Sequence, residues 1–434
     1  MFNTLKNAWK IPDLKKKLLF TLFIIIAFRF GSVIPVPFLD ATALGTLMES
    51  ANETALGYVN MLTGGAFANA TLFAMGITPY INSSIIIQLL TVAIPPLERL
   101  AKEGEEGRKK IAAITRYCTV VLGLIQGTAF FFFLKNNGVT LYNEGFSAVL
   151  AAIIIIVAFT AGTALIMWMG EQINKKGVGN GISIILFAGI VARLPVTMGQ
   201  VWNYFSAAIQ SPESYGKYFV FAPLFIILFL AVIWVIIFMN EAERRIPVQY
   251  AKKVVGRRVY GGQSTFLPVK VAMSGVMPVI FASAILSIPS TIQLFVSPTG
   301  FWKNFFDAFS SSGWLYSVLY LLLIVMFAYF YMTIQYNPIE MANNLRSNSG
   351  TVPGLRPGRP TAEFISKILS KVTLIGAMFL AFVAILPIIY GNITGMHGLT
   401  MGGTSVIIMV GVALETVKQI ESQMMMRHYK GFLD

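Results

Sequence analysis

The side chains that usually carry out covalent chemistry are nearly missing from this chain. It has two histidines, His397 and His428, neither within a His-Glu-x-x-His pattern, and no Walker loop. Gly177-Val178-Gly179-Asn180-Gly181 follows no strand and lacks the third glycine of a dinucleotide fingerprint. Cys118 is the single cysteine, which leaves no disulfide framework and no cysteine metal site. No nucleophile–base pair can be assembled. The sequence therefore points away from an enzyme, and no cofactor or metal is expected.

What recurs at fixed spacing is a set of glycines, prolines and aliphatics. Gly76-Ile77-Thr78-Pro79-Tyr80-Ile81-Asn82-Ser83-Ser84 returns 199 positions later as Gly275-Val276-Met277-Pro278-Val279-Ile280-Phe281-Ala282-Ser283. Gly181, Ser183, Ile185, Leu186 and Gly189 return 222 positions later as Gly403, Ser405, Ile407, Ile408 and Gly411. Each pair has one copy in the first half of the chain and one in the second. Membrane proteins built from two similar halves keep their pathway at the repeat interface, on helices interrupted by Gly or Pro. Aliphatic side chains there bind no polar solute. They form a constriction that closes by dewetting and widens when something larger passes.

The elements that must hold these residues follow from hydropathy. At 56% apolar and only 12% charged, the chain lies far from a soluble globular protein. A hydrocarbon layer of roughly 30 Å needs about 20 helical residues to cross. Ten apolar runs approach that length, near 18–35, 75–94, 111–134, 147–170, 181–195, 220–240, 273–294, 314–336, 367–390 and 402–420. A short, weak segment at 61–72 precedes the second. The expected fold is an all-α membrane protein with ten transmembrane helices in two pseudo-symmetric inverted halves, 1–195 and 196–434, and no soluble domain.

Charge orients the bundle. Of 33 Lys and Arg, all but Arg29, Lys135, Arg193, Lys217 and Lys303 fall in the two tails, in the even-numbered connections or in the span ends that adjoin them. Basic residues mark the cytoplasmic side, so both termini are expected there, and the +14 net charge needs no nucleic acid. The N-terminus looks like a signal peptide, but Ser32-Val33-Ile34-Pro35-Val36-Pro37 offers no small-residue cleavage site; an uncleaved first helix is expected. Ion-coupled carriers keep a titratable group near the midplane. Here Arg29, six residues before Pro35, can snorkel outward, and Glu171, Glu241 and Glu415 lie near cytoplasmic ends of spans.

Two long loops stand out on the basic side. Residues 241–272 hold Arg244, Arg245, Lys252, Lys253, Arg257, Arg258 and Lys270; Val254-Val255 and Val259-Tyr260 flank Gly256, so a hairpin is expected. Residues 337–366 contain Gly350-Thr351-Val352-Pro353-Gly354-Leu355-Arg356-Pro357-Gly358-Arg359-Pro360, which excludes a helix there and holds Arg356 on a turn. Both loops could simply serve the charge bias, but long loops of defined shape are more often binding surfaces.

Several motifs together resemble one family. They include Gly64-Gly65-Ala66, Phe73-Ala74-Met75-Gly76-Ile77-Thr78-Pro79-Tyr80-Ile81, Ile85-Ile86-Ile87-Gln88-Leu89-Leu90 and Gly107-Arg108-Lys109-Lys110. Gly170-Glu171-Gln172-Ile173, Gly179-Asn180-Gly181-Ile182-Ser183, Arg244-Arg245, Gly256-Arg257-Arg258-Val259-Tyr260, Gln263-Ser264-Thr265, Asn337-Pro338, the Arg356 turn and Gly402-Gly403-Thr404-Ser405 follow in order. Across essentially the whole chain this is similar to the SecY family, pore-forming subunits of the bacterial Sec protein translocase.

The resemblance implies a clam-shell of spans 1–5 against 6–10 with an hourglass pore ringed by Ile77, Ile81, Ile182, Leu186, Ile280 and Ile408. It implies a short re-entrant plug helix within 61–72, including Leu62, Thr63, Gly64, Gly65, Ala66 and Phe67; a plain outer loop is the alternative. A lateral gate for signal and transmembrane segments would use Gln88 and Thr91 on span 2 against Ser283, Ser287 and Thr291 on span 7. Those hydroxyls could equally bond their own helix carbonyls. Arg257, Arg258 and Arg356 would dock a motor or ribosome. The implied partners are the small subunits SecE and SecG, the SecA ATPase, the ribosome, unfolded preprotein and the lipid of the bacterial plasma membrane. A small-solute transporter with inverted repeats, or an inert scaffold, remain the competing readings at this point.

Overall fold

The computed structural model describes residues 2–50, 63, 65–142, 144–250, 253–255, 258–260, 264–273, 275–296, 314–396 and 402–430. The chain runs through α1 (Phe2–Lys10), α2 (Pro12–Gly31), α3 (Ala41–Ser50), α4 (Thr78–Ala93), α5 (Pro95–Lys102), α6 (Glu105–Asn136), α7 (Gly145–Lys176), α8 (Gly181–Val191), α9 (Leu194–Gln210), α10 (Pro212–Tyr215) and α11 (Tyr218–Glu241). Strands β1 (Glu243–Tyr250), β2 (Lys253–Val255), β3 (Arg258–Tyr260) and β4 (Ser264–Lys270) follow. Then come α12 (Met277–Val296), α13 (Trp314–Gln335), α14 (Pro338–Ser347), β5 (Gly350–Thr351), α15 (Arg359–Thr394) and α16 (Gly403–Lys430).

A helix stands at each of the ten expected positions, but their lengths differ from the expectation. Among the described residues, seven helical runs are long and apolar enough to cross a membrane, or eight when α4 and α5 are joined across a 101° bend. The bend falls at Ile94, whose extended backbone (ψ 111°) is what a following proline imposes. Helix α2 falls short because Lys15, Lys16 and Lys17 occupy its first turns while its apolar run continues past Gly31. Helix α8 has 11 residues and reaches spanning length only by continuing into α9, which the sequence pattern did not foretell.

The internal repeat is visible in the backbone. Gly76 (φ +55°) and Gly275 (φ +57°) adopt the same left-handed turn, a conformation that costs L side chains energy. Their N–H groups donate to Phe73 O and Ala272 O, and α4 and α12 then begin at the same offset. Ile81 N donates to Ile77 O at 3.1 Å and Ile280 N to Val276 O at 3.2 Å, the same first-turn bond in each half. The two copies of the second motif open α8 and α16 and pack against each other.

The segment before α4 differs from the expected plug helix. Its described part, Thr63 and Gly65–Ile77, is a chain of turns with one bridge, Pro35 to Thr71. Gly65 at φ +93° and Ala70 at φ +46° interrupt any helical run. Leu62 and Gly64 lie outside the described residues. The basic-side hairpin is present and larger than expected. Val254 pairs with Val259 in the inner ribbon, while β1 and β4 pair from Glu243–Lys270 to Gln249–Ser264. β5 adds to β1 through Gln249–Thr351 and Tyr250–Gly350, so the two long loops share one sheet.

Candidate pore constriction

Several apolar clusters build the bundle, and the repeat residues lie where the two largest meet. One is built mainly from α11, α12, α13, α15 and α16 around Ile236, Val279, Phe281, Tyr320 and Ile407, with Ile85 of α4 inserted. The other joins α2, the 66–77 segment, α7 and α8 to Ile408 and Val412 of α16. All six aliphatics singled out in the sequence belong to this second cluster. Ile77, Leu186 and Ile408 are buried in it, and Ile81, Ile182 and Ile280 pack against it. Ile81 and Ile280 touch both clusters.

Five of the six (Ile81, Ile182, Leu186, Ile280 and Ile408) line a cavity of about 520 Å³. Asn240, Lys270 and Gln335, at helix and strand ends on the basic side, and Lys418 within α16 line it as well. Ile77 is absent from that wall, because it faces the turns of the 66–77 segment. There Ala66 and Phe73 share its cluster, each 1% exposed. The geometry is thus a polar-lined funnel on one side, a patch of aliphatics, and packed protein on the other.

Of the polar groups predicted for a seam between α4 and α12, Thr91, Ser283 and Gln88 make bonds within their own helices. The hydroxyl of Thr91 donates to Gln88 O, that of Ser283 to Ile280 O, and the Gln88 amide reaches Ser84 Oγ at 3.5 Å. The side chains of Ser287 and Thr291 lie outside the described residues. Helix α4 bonds instead toward α6, where Ser83 Oγ donates to Thr115 O at 2.8 Å. Toward α12 it presents Ile81, Ile85 and Leu89 to the cluster containing Val279 and Leu286.

Arg356 is exposed on a turn between Gly354 (φ +81°) and Gly358 (φ +103°). Its carbonyl accepts a 2.8 Å bond from Thr361 Oγ1, and buried Val352 with Leu355 anchors the turn to the β1–β4 sheet. Arg257 and the Arg258 side chain lie outside the described residues. Sequence reasoning missed the Arg116–Glu171 ion pair (2.7 Å) between α6 and α7. It also missed the funnel's polar wall of Tyr80, Asn180, Lys270, Tyr331, Glu415 and Lys418. One signal was available: Arg116 and Glu171 interrupt apolar runs near the same membrane face.

The sequence model of the SecY family matches residues 71–417, most of the chain. The chain belongs to the SecY family. Protein translocase subunit SecY of Bacillus subtilis is 44% identical over 437 residues, with 100% of both chains covered. That of Streptomyces coelicolor is 42% identical over 447 residues with the same coverage. Among solved structures, a protein-conducting channel superposes with a TM-score of 0.64 at 19% identity, covering 94% of this chain and 92% of its own. Sec61 from a canine ribosome–channel complex gives 0.60 at 17% identity with the same coverage. The protein is a multi-pass membrane subunit of a protein translocase; SecY proteins are channels and not enzymes, and the transporter and scaffold readings fall away.

Proposed function

We propose that unfolded secretory polypeptides cross the membrane between the halves 1–195 and 196–434, through a constriction formed by Ile77, Ile81, Ile182, Leu186, Ile280 and Ile408. The observation that carries this reading is their convergence beneath the 520 Å³ funnel. A dry aliphatic ring excludes ions yet yields to an extended chain, because it offers no fixed polar ligand. The turns from Thr63 to Leu72 act as the plug on the far side. Signal and transmembrane segments leave between α4 and α12, the gate of Gln88, Thr91, Ser283, Ser287 and Thr291. Because that face is largely apolar, a hydrophobic segment can replace its packing at little cost.

Charge bias supports a cytoplasmic location for both termini and for the β1–β5 sheet, in the bacterial plasma membrane. Arg257, Arg258 and Arg356 there would meet carboxylates of a SecA-type motor or phosphates of a ribosome. Canine Sec61 and yeast Ssh1, both similar in fold, were solved in ribosome complexes. SecE- and SecG-type subunits would cover part of the outward apolar surface. The test is photo-crosslinking from Ile81 and Ile408 during transport. An arrested preprotein should attach at both positions, and labelling only at lipid-facing positions such as Phe238 would sink the reading.

A further inference from the structure

The stretch that leads out of the plug is held by three independent contacts. Val36 N donates to Ala70 O and Leu72 N to Ile34 O, both at 2.9 Å, flanking the Pro35–Thr71 bridge. On the other side, a Cβ built on Gly162 of α7 would stand 2.0 Å from the Leu72 carbonyl oxygen. Only glycine lets the helix approach that backbone. Finally, Phe73 stacks on Phe28 of α2 with ring centroids 5.7 Å apart. The preceding residues have a weaker hold on the surrounding helices. Thr63 and Ala66 are buried, and Thr71 N and Oγ1 donate to Ala66 O. Yet Gly65 has open space around its Cβ position and Asn69 is exposed. Among the described residues, the one large side chain that anchors them to a neighbouring helix is Phe67, stacked on Phe130. Between the two parts sits Ala70 in a left-handed conformation (φ +46°), a strained point for a residue with a Cβ.

We infer that residues 70–73 are a fixed latch clamped between the 34–36 backbone and Gly162, that the plug swings only up to Ala70, and that Gly162 is a positioning residue of the resting seal. This rests on the plug reading given above. The latch sets where the 65–69 turns return after each passage. Loosening it lets them settle off the constriction without removing any pore aliphatic.

The test uses the full-length chain with Cys118→Ser in proteoliposomes. Pro35 and Thr71 form the non-hydrogen-bonded kind of antiparallel pair, whose short Cα spacing suits a disulfide. The Pro35→Cys/Thr71→Cys variant, oxidised, should translocate preprotein as fast as when reduced. Loss of transport on oxidation, regained on reduction, would overturn the latch. A second variant, Phe67→Cys/Phe130→Cys bridged by a short homobifunctional thiol-reactive cross-linker such as a bis-maleimide, should lose transport. If it transported normally, the plug reading beneath the inference would fall. Third, Gly162→Ala should raise resting ion conductance about tenfold by populating a displaced plug. The 35–71 disulfide should restore the seal in that variant, which recovery from a general folding defect would not do. Wild-type conductance in Gly162→Ala at normal protein level would overturn its assignment.

Discussion

The two sides of the aliphatic constriction are built by opposite rules. Toward the plug, Thr63, Ala66, Phe67, Ala70, Phe73 and Ala74 are each 4% exposed or less. Toward the basic loops, the same constriction opens into a funnel whose wall carries tyrosines, Asn180, Glu415, Lys270 and Lys418. A polypeptide can enter the funnel while its backbone stays hydrated, since burying unpaired amides costs several kcal/mol each. On the far side, entry must displace packed protein. Most of those buried residues are small, so Phe67 is the main apolar side chain that must leave its pocket when the plug swings, at a cost of roughly 2 kcal/mol by area. The asymmetry fits the proposed reading, in which the channel is gated on the packed side and loaded from the funnel side.

The largest expected effect breaks the loading side. Arg356→Glu should abolish motor-driven transport in proteoliposomes with the purified ATPase, because a carboxylate would repel the acidic groups that the guanidinium is proposed to grip. Arg356→Lys should impair it less, and both variants should insert normally, since the turn is exposed. Wild-type transport by the Glu variant would remove Arg356 from the docking surface.

A smaller effect is expected from the gated side. Deleting residues 63–69, which leaves Ala70 to accept from Val36, should spare folding yet allow several-fold more export of preproteins with defective signals. An unchanged signal requirement in an export assay would mean the turns are not a gate. The smallest effect lies in the ion pair between α6 and α7. Arg116→Ala should lower thermal stability by about 1 kcal/mol or less, because Arg116 is 46% exposed and its ion pair is screened. A loss of several kcal/mol in detergent melts would show that this pair is a buried strut.

The architecture was legible because glycines and hydropathy carry it. Gly76 and Gly275 advertised matching turns, and the apolar runs placed all ten helices. Ile81, Ile280, Leu186 and Ile408 could be picked from the repeat, because symmetry brings matching positions to the same interface, whereas Ile77 and Ile182 came only from the family resemblance. Other features were hidden for definite reasons. The alternation of Ile246, Val248 and Tyr250 in β1 is a readable strand signal, but lysines and arginines around it obscured the sheet. The plug's turns escaped notice because positive φ at Ala70 has no sequence signature. The α4–α12 face read as polar from Ser and Thr spacing, yet Thr91 and Ser283 spend their hydroxyls on their own helices.

The central claim is that dry aliphatics at the meeting of the halves seal the resting channel. Planar-bilayer conductance of an Ile81→Ser/Ile280→Ser/Ile408→Ser variant tests it most directly. These side chains sit at the funnel floor, so hydroxyls there should let water wet the constriction and leave a steady ion current without any substrate. A resting conductance equal to that of the parent, in correctly inserted protein, would contradict a seal made by these residues.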